Sequence, residues 1–230
     1  MPVHIHPTAS LAPRALLPGD PGRALALAQL LLVKPKMFNH NRGLWGYTGP
    51  AVADGEPLTI QSTGMGGPSA AIVLEELCDL GLERTIRVGT CGALDADLAL
   101  GELVVVDEAL AADGTSRALG AGELIAADPE IVAALIAAVP GARVGRAATS
   151  DLFYERDRAR VRGWAGAGAL AIEMEAATLL RVAELRGVRA GCLLAVSDVF
   201  DGDGRRQRIH ADELLLAGER LGRAGAAALA

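Results

Sequence analysis

The stretch RTIRVGTCGA (84–93) ends an apolar run in a cation, a hydroxyl and two glycines. Ile86 and Val88 suit a buried strand, while Gly89 and Gly92 let backbone approach another group closely. Arg87 supplies charge on a planar donor fork and Thr90 a hydroxyl, a set that serves either a buried salt bridge or a bound anion. LLPGDPGRA (16–24) repeats the logic with an apolar strand, Gly19, and Arg23 on the first turn of a helix whose free N–H groups favour negative charge. NHNRGLWGYTG (39–49) brings a third arginine, Arg42, and IQSTGMGGPSAA (60–71) has three glycines in four residues before a helix. Neither is a P-loop, since no Gly-Lys-Ser/Thr follows, and no GxGxxG stands where a dinucleotide needs one.

The acids are placed as pointedly. AIEMEAATLL (171–180) sets Glu173 and Glu175 astride Met174 where a strand passes into a helix. Acids there complement the helix dipole, and a carboxylate facing a cleft can take both hydroxyls of a ribose. Asp198 in AVSDVF stands at the carboxyl end of an apolar strand, a position used both for turns and caps and for the sites of α/β proteins.

Apolar runs at 15–17, 58–63, 85–89, 103–110, 143–149 and 190–198 read as strands. Helical patterns lie at 21–33 after Asp20, 68–80, 128–139 opened by Asp-Pro, 172–186 closed by Gly187, and 211–229. Strands alternating with helices predict an α/β fold around a central sheet, a single domain over residues 1–230. With 22 basic and 28 acidic residues the net charge is -6, which argues against general affinity for nucleic acid or an anionic membrane. An anion must therefore meet a local cluster of arginines. Cys78, Cys91 and Cys192 are odd in number and widely spaced, suggesting buried thiols rather than a disulfide framework or a zinc site. The start MPVHIHPTAS has no basic-then-apolar signal, and charge, Pro or Gly interrupts every hydrophobic stretch, so a soluble, cytoplasmic protein is expected.

Taken together and in order, GDPGRA, NRGLWGYTG, GMGGPS, RVGTCGA, DLFY, IEMEAATL and VSD resemble the hexameric, bacterial-type purine nucleoside phosphorylases, whose superfamily includes the uridine phosphorylases. The resemblance implies the nucleoside phosphorylase fold, a mixed central sheet flanked by helices. It implies a pentosyltransferase of purine salvage, cleaving purine nucleosides to free base and (deoxy)ribose 1-phosphate. Inorganic phosphate is then the co-substrate, and no metal or organic cofactor is needed. By the same resemblance Gly19, Arg23, Arg87 and Thr90 bind phosphate, and Arg42 reaches in from a neighbouring subunit. His4 of a neighbour meets the ribose 5′-hydroxyl, with His6 its rival. Met174 and Glu175, with Glu173 beside them, bind the ribose, Phe153 packs on the base, and Asp198, kept protonated by partial burial, is the general acid. A homo-hexamer built as a trimer of dimers follows.

The chain also departs from the family pattern. Thr90 stands where the purine enzymes often have serine, and VFDGDGRRQRIHADE after Asp198 is short, leaving open whether Arg205, Arg206 or Arg208 assists the acid. Uridine phosphorylase is the nearest rival, but FYERDR offers Arg156 and Arg158 without the glutamine that reads uracil. A nucleosidase using water has no need of an arginine cradle, and a non-catalytic nucleoside-binding protein has no need of a proton donor.

Overall fold

The computed structural model describes residues 2–200 and 205–230. Among these the strands are β1 (Arg14–Leu17), β2 (Lys36–Asn39), β3 (Gly46–Pro50), β4 (Pro57–Gln61), β5 (Arg84–Ala93), β6 (Leu103–Ala111), β7 (Leu124–Ala126), β8 (Arg143–Thr149), β9 (Ala169–Glu173), β10 (Arg189–Phe200) and β11 (Arg206–Arg208). The helices are α1 (Pro21–Leu31), α2 (Gly67–Asp79), α3 (Gly114–Ala118), α4 (Pro129–Ala138), α5 (Arg158–Gly166), α6 (Ala176–Arg186) and α7 (Ala211–Ala228). The expected α/β architecture with a mixed central sheet is what forms.

β4, β1, β5 and β10 lie side by side and parallel, so four strands deliver their carboxyl ends to one edge. β5 also pairs antiparallel with β9, β9 runs parallel to β8 and β8 to β6, and β6 returns antiparallel to β10. Those pairings close β5, β10, β6, β8 and β9 into a ring. Closure carries Glu173, the last residue of β9, back along β5 toward Arg87. Outside the ring, β3 and β2 extend the sheet antiparallel from β4, and β11 pairs with the end of β10.

Alternation along the strands divides the core between two faces. Leu16, Ile86 and Val88 pack with Leu27 of α1, Leu135 of α4 and Leu221 of α7. Leu17, Val104 and Val106 pack on the other face with Leu74 and Leu77 of α2 and Leu179 of α6. Each buried leucine contributes about 1.5–3 kcal/mol. Because Ile86 and Val88 take the first face, Arg87 between them faces the second, where α6 begins. The helix starts are capped as the sequence suggests: Asp20 accepts from the N–H of Arg23, and Asp128 from those of Glu130 and Ile131. Such a cap is worth about 1 kcal/mol.

Several boundaries move. The helix expected from residue 172 starts at Ala176, because Ala169–Glu173 is drawn into the sheet between β5 and β8 despite its Ala/Glu-rich composition. The strand expected over 58–63 stops at Gln61, since the N–H groups of Ser62 and Thr63 turn to Trp45 and Pro18. Cys91 and Cys192 are buried as expected, whereas Cys78 is half-buried, its thiol pushed up to about 11 by burial. No helix among the described residues is long and apolar enough to cross a membrane.

Candidate active site

The parallel strands bring the glycine loops together. The N–H of Thr63 donates to Pro18 O at 2.9 Å and that of Gly64 to Gly19 O at 3.0 Å, which joins the loop after β1 to the loop after β4. Arg87 lies just behind them, 4 % exposed. Its Nε donates to Glu173 Oε2 at 2.8 Å, and its Nη2 pairs with Glu175 Oε2 at 2.5 Å. Its Nη1 is buried and has no hydrogen-bond partner among the described residues. Burial by itself would lower the Arg87 pKa, but Glu175 and Glu173 overcome it and raise it above the ordinary value. The guanidinium folds over Gly89, where a Cβ would sit 2.8 Å from Arg87 Cζ, so any side chain there would displace the guanidinium.

Arg23 sits on the first turn of α1, and its guanidinium makes no hydrogen bond or ion pair among the described residues. Burial lowers its pKa, Asp20 counters, and the nearby positive charge of Arg87 lowers it further. Two guanidiniums thus lie close enough to repel one another. Thr90 follows Gly89, half-buried.

The two glutamates differ. Glu173 takes Thr149 Oγ1 at 2.5 Å, Arg87 Nε at 2.8 Å, the Glu175 N–H at 2.8 Å, and the Ala176 N–H on both oxygens at 2.9 Å. Its side chain has 0 % exposure. An ionised carboxylate offers about four lone-pair sites, so Glu173 is filled by the protein. Expected against the nucleoside, it meets the start of α6 and Arg87 in the structure. Glu175 accepts from the Gly66 N–H and pairs with Arg87, which leaves about two acceptor sites, the number two vicinal hydroxyls need. Gly66 has φ +85°, a left-handed backbone that glycine adopts at little cost and that aims its N–H at Glu175. Burial raises the Glu175 pKa, with Arg87 opposing and Glu173 adding to the rise. Met174 between them is half-buried.

Asp198 is 2 % exposed near the end of β10. Its carboxyl group, expected from the sequence to act as the acid, is met by two arginines and a serine. Oδ1 accepts from Arg206 Nε at 2.7 Å and Arg208 Nη1 at 3.3 Å, and Oδ2 from Ser197 Oγ at 2.6 Å. The antiparallel pairing of β11 with β10 explains this, since Asp198 stands opposite Arg208 with Arg206 two residues along the same strand. Arg206 also lies over the ring of Phe153, 4.3 Å from its centroid, which ties the DLFY loop to Asp198. Phe153 is half exposed and meets Tyr154 edge-on. Within VFDGDGRRQRIHADE, residues 201–204 lie outside the described residues.

His4 and Arg42 do not join this group within the chain. His4 Nδ1 is 2.7 Å from Glu76 Oε1 on α2, and Glu76 also accepts the N–H groups of Val3, His4 and Ile5. Burial pushes the Glu76 carboxyl up, but hydrogen bonds from Ile5, His4 and Val3 outweigh it and hold it at about 2. Asn41 Nδ2 donates to His4 O at 2.8 Å, so the amino-terminal arm is clasped to the turn that carries Arg42. Arg42 is exposed, with φ +56° and no side-chain partner among the described residues. His6 is exposed and its Nε2 is 3.1 Å from Val3 O. Thr149 carries no functional signal in the sequence, and Gly66 is marked there only as one of three glycines before a helix. Their contacts with Glu173 and Glu175 arise only when the ring of strands closes and the glycine loop meets α6.

Residues 13–230 match the family model described as the phosphorylase superfamily. The chain belongs to that superfamily. It is 38% identical over 205 residues to a guanosine phosphorylase from Halorubrum lacusprofundi, covering 87% of this chain and 84% of the relative. It is 37% identical to a DeoD-type purine nucleoside phosphorylase from Geobacillus kaustophilus, with 86% of each chain covered. A relative of the same name from Clostridium beijerinckii is 38% identical, with 87% of each covered. The recognition made from seven short motifs and the fold drawn from it both hold.

Proposed function

We propose that this chain cleaves purine nucleosides with inorganic phosphate, releasing the free purine and (deoxy)ribose 1-phosphate. The observation that carries the reading is Arg87: a guanidinium about nineteen-twentieths buried, with one nitrogen unpaired among the described residues, close enough to the guanidinium of Arg23 for their charges to oppose each other. Phosphate answers that demand. Arg87 and Arg23 hold its charge, the Gly19 N–H and the Thr90 hydroxyl add donors, and a neighbouring subunit supplies Arg42.

Bond cleavage builds positive charge on the sugar and negative charge on the departing purine, while phosphate attacks the anomeric carbon from the opposite face. The arginine cradle fixes the nucleophile in line, and Glu175 fixes the sugar through its 2′- and 3′-hydroxyls. Met174 packs on the ribose and Phe153 on the base. Asp198, as the protonated acid, delivers a proton to N7, and Arg206, 2.7 Å from its Oδ1, stands where it neutralises the carboxylate left behind. His4, oriented by Glu76, meets the 5′-hydroxyl of the neighbour's substrate, so the working unit is at least a dimer and the expected assembly a homo-hexamer. No metal or organic cofactor enters these steps.

Product analysis by chromatography on guanosine, inosine, adenosine and uridine tests the reading. Purine nucleosides are expected to be split with formation of the sugar 1-phosphate, and a preference for uridine would overturn the assignment of the base.

A further inference from the structure

Glu173 is the one site acid with nothing left to offer a substrate. Its side chain has 0 % exposure, and four donor groups use both oxygens. Three of those donors belong to the scaffold: the hydroxyl of Thr149 at the end of β8 and the first N–H groups leading into α6. The fourth is the Nε of Arg87. A guanidinium gripped at Nε by one carboxylate and at Nη2 by another has its plane fixed, and the direction of Nη1 is fixed with it. Thr149 Oγ1 also accepts the Ala177 N–H at 2.8 Å, so the chain that starts at Arg87 ends in the body of α6.

We infer that Glu173 is a positioning residue: with Thr149 it forms a buried clamp that aims the free nitrogen of Arg87 at phosphate, leaving ribose to Glu175 alone. The inference rests on the reading of Arg87 as a phosphate ligand and assigns the two neighbouring glutamates to different substrates. Glu175 faces a dual demand, since it touches both Arg87 and the sugar. Glu173 relieves that conflict by holding Arg87 from the side away from the ribose. Without it, the guanidinium has Glu175 as its only carboxylate and swings toward it, drawing Nη1 off the phosphate.

The test is a double-mutant cycle on steady-state kinetics, with Glu173→Gln and Arg87→Ala alone and combined, measuring KM for phosphate and for guanosine separately. Glu173→Gln keeps the volume and removes the charge. The clamp predicts a phosphate KM raised about tenfold or more, a guanosine KM changed less than about threefold, and no further rise in phosphate KM when Glu173→Gln is added to Arg87→Ala. Thr149→Val, a milder change, should raise phosphate KM a few-fold, and Thr149→Ser should restore it. A role confined to capping α6 would lower the melting temperature and leave both KM values in place, and that outcome overturns the inference. So does a guanosine KM that rises with Glu173→Gln in both backgrounds, which would put Glu173 on the nucleoside after all. An Arg87→Ala enzyme with an unchanged phosphate KM is a different failure, for it removes the phosphate reading itself.

Discussion

Arg206→Ala is the sharpest perturbation of the proton-transfer end of the site. Arg206 Nε is 2.7 Å from Oδ1 of Asp198, whose side chain is 3 % exposed, so the pair is largely screened from water on the acid's side. Loss of a charge-assisted hydrogen bond of this kind costs about 1.5–3 kcal/mol. At about 1.4 kcal/mol per decade this lowers kcat by about 10- to 150-fold if the contact acts when negative charge appears on Asp198. Arg208 is 3.3 Å away and its side chain is 57 % exposed, which makes it a surface pair worth about 0–1 kcal/mol, or about fivefold at most. The Phe153 ring adds a second signature. Arg206 covers it now, so removing the guanidinium uncovers the face a base would stack on, and the nucleoside KM should hold or fall. Steady-state kinetics on guanosine at saturating phosphate read all three numbers. An Arg208→Ala enzyme more damaged than Arg206→Ala, or an Arg206→Ala enzyme with a raised KM and an intact kcat, would refute the reasoning.

Asp198→Asn removes the proton but not the shape, and kcat on adenosine should fall by about 10² or more in the same assay. Glu175 must be ionised to accept two hydroxyls and its pKa is raised, so kcat/KM for the nucleoside should fall with decreasing pH at a higher pH than an ordinary glutamate gives; Glu175→Gln should abolish that limb of the profile. Glu76 has the opposite sign: its folded pKa is depressed from 4.5 to about 2, so the stability it gives the amino-terminal arm is complete above about pH 4.5 and lost as pH falls toward 2. Protection of the Val3 to Ile5 amides from hydrogen exchange should follow that curve and be missing in Glu76→Gln. Mixing His4→Ala with Glu175→Ala subunits should restore some activity, because a hybrid pair contains one site free of both changes, and no recovery would argue against sites shared between subunits.

The long elements were legible because their signals are local. The apolar runs of β1, β5, β6 and β10 and the Asp-Pro starts of α1 and α4 announce themselves within a few residues. The passage from strand to helix near Glu173 was legible but its boundary was not, because ALAIE is a good helix former that only pairing with β5 and β8 extends. β2 and β3 were missed because KMFN and GYTGP show no clean alternation and hold an exposed Met37. The same split runs through the site. Arg23 and Glu175 sit at recognisable helix starts, Arg87 in a strand that runs into a glycine-rich segment, and Asp198 near a strand end. Whether a given carboxylate keeps a free lone pair depends on neighbours supplied by distant strands, so Glu173 looked like a ligand until Thr149, 24 residues away, was seen to fill it. The contacts of Arg206 and Arg208 with Asp198 likewise waited on the register of β11 against β10.

The central claim is that phosphate, rather than water, takes the sugar. The measurement that bears on it most directly is guanine release from guanosine by the purified chain, followed with and without inorganic phosphate, with the sugar product identified by phosphorus NMR. Release is expected only when phosphate is present, with one ribose 1-phosphate formed for each guanine. Equal guanine release in phosphate-free buffer, with free ribose as the product, would contradict it.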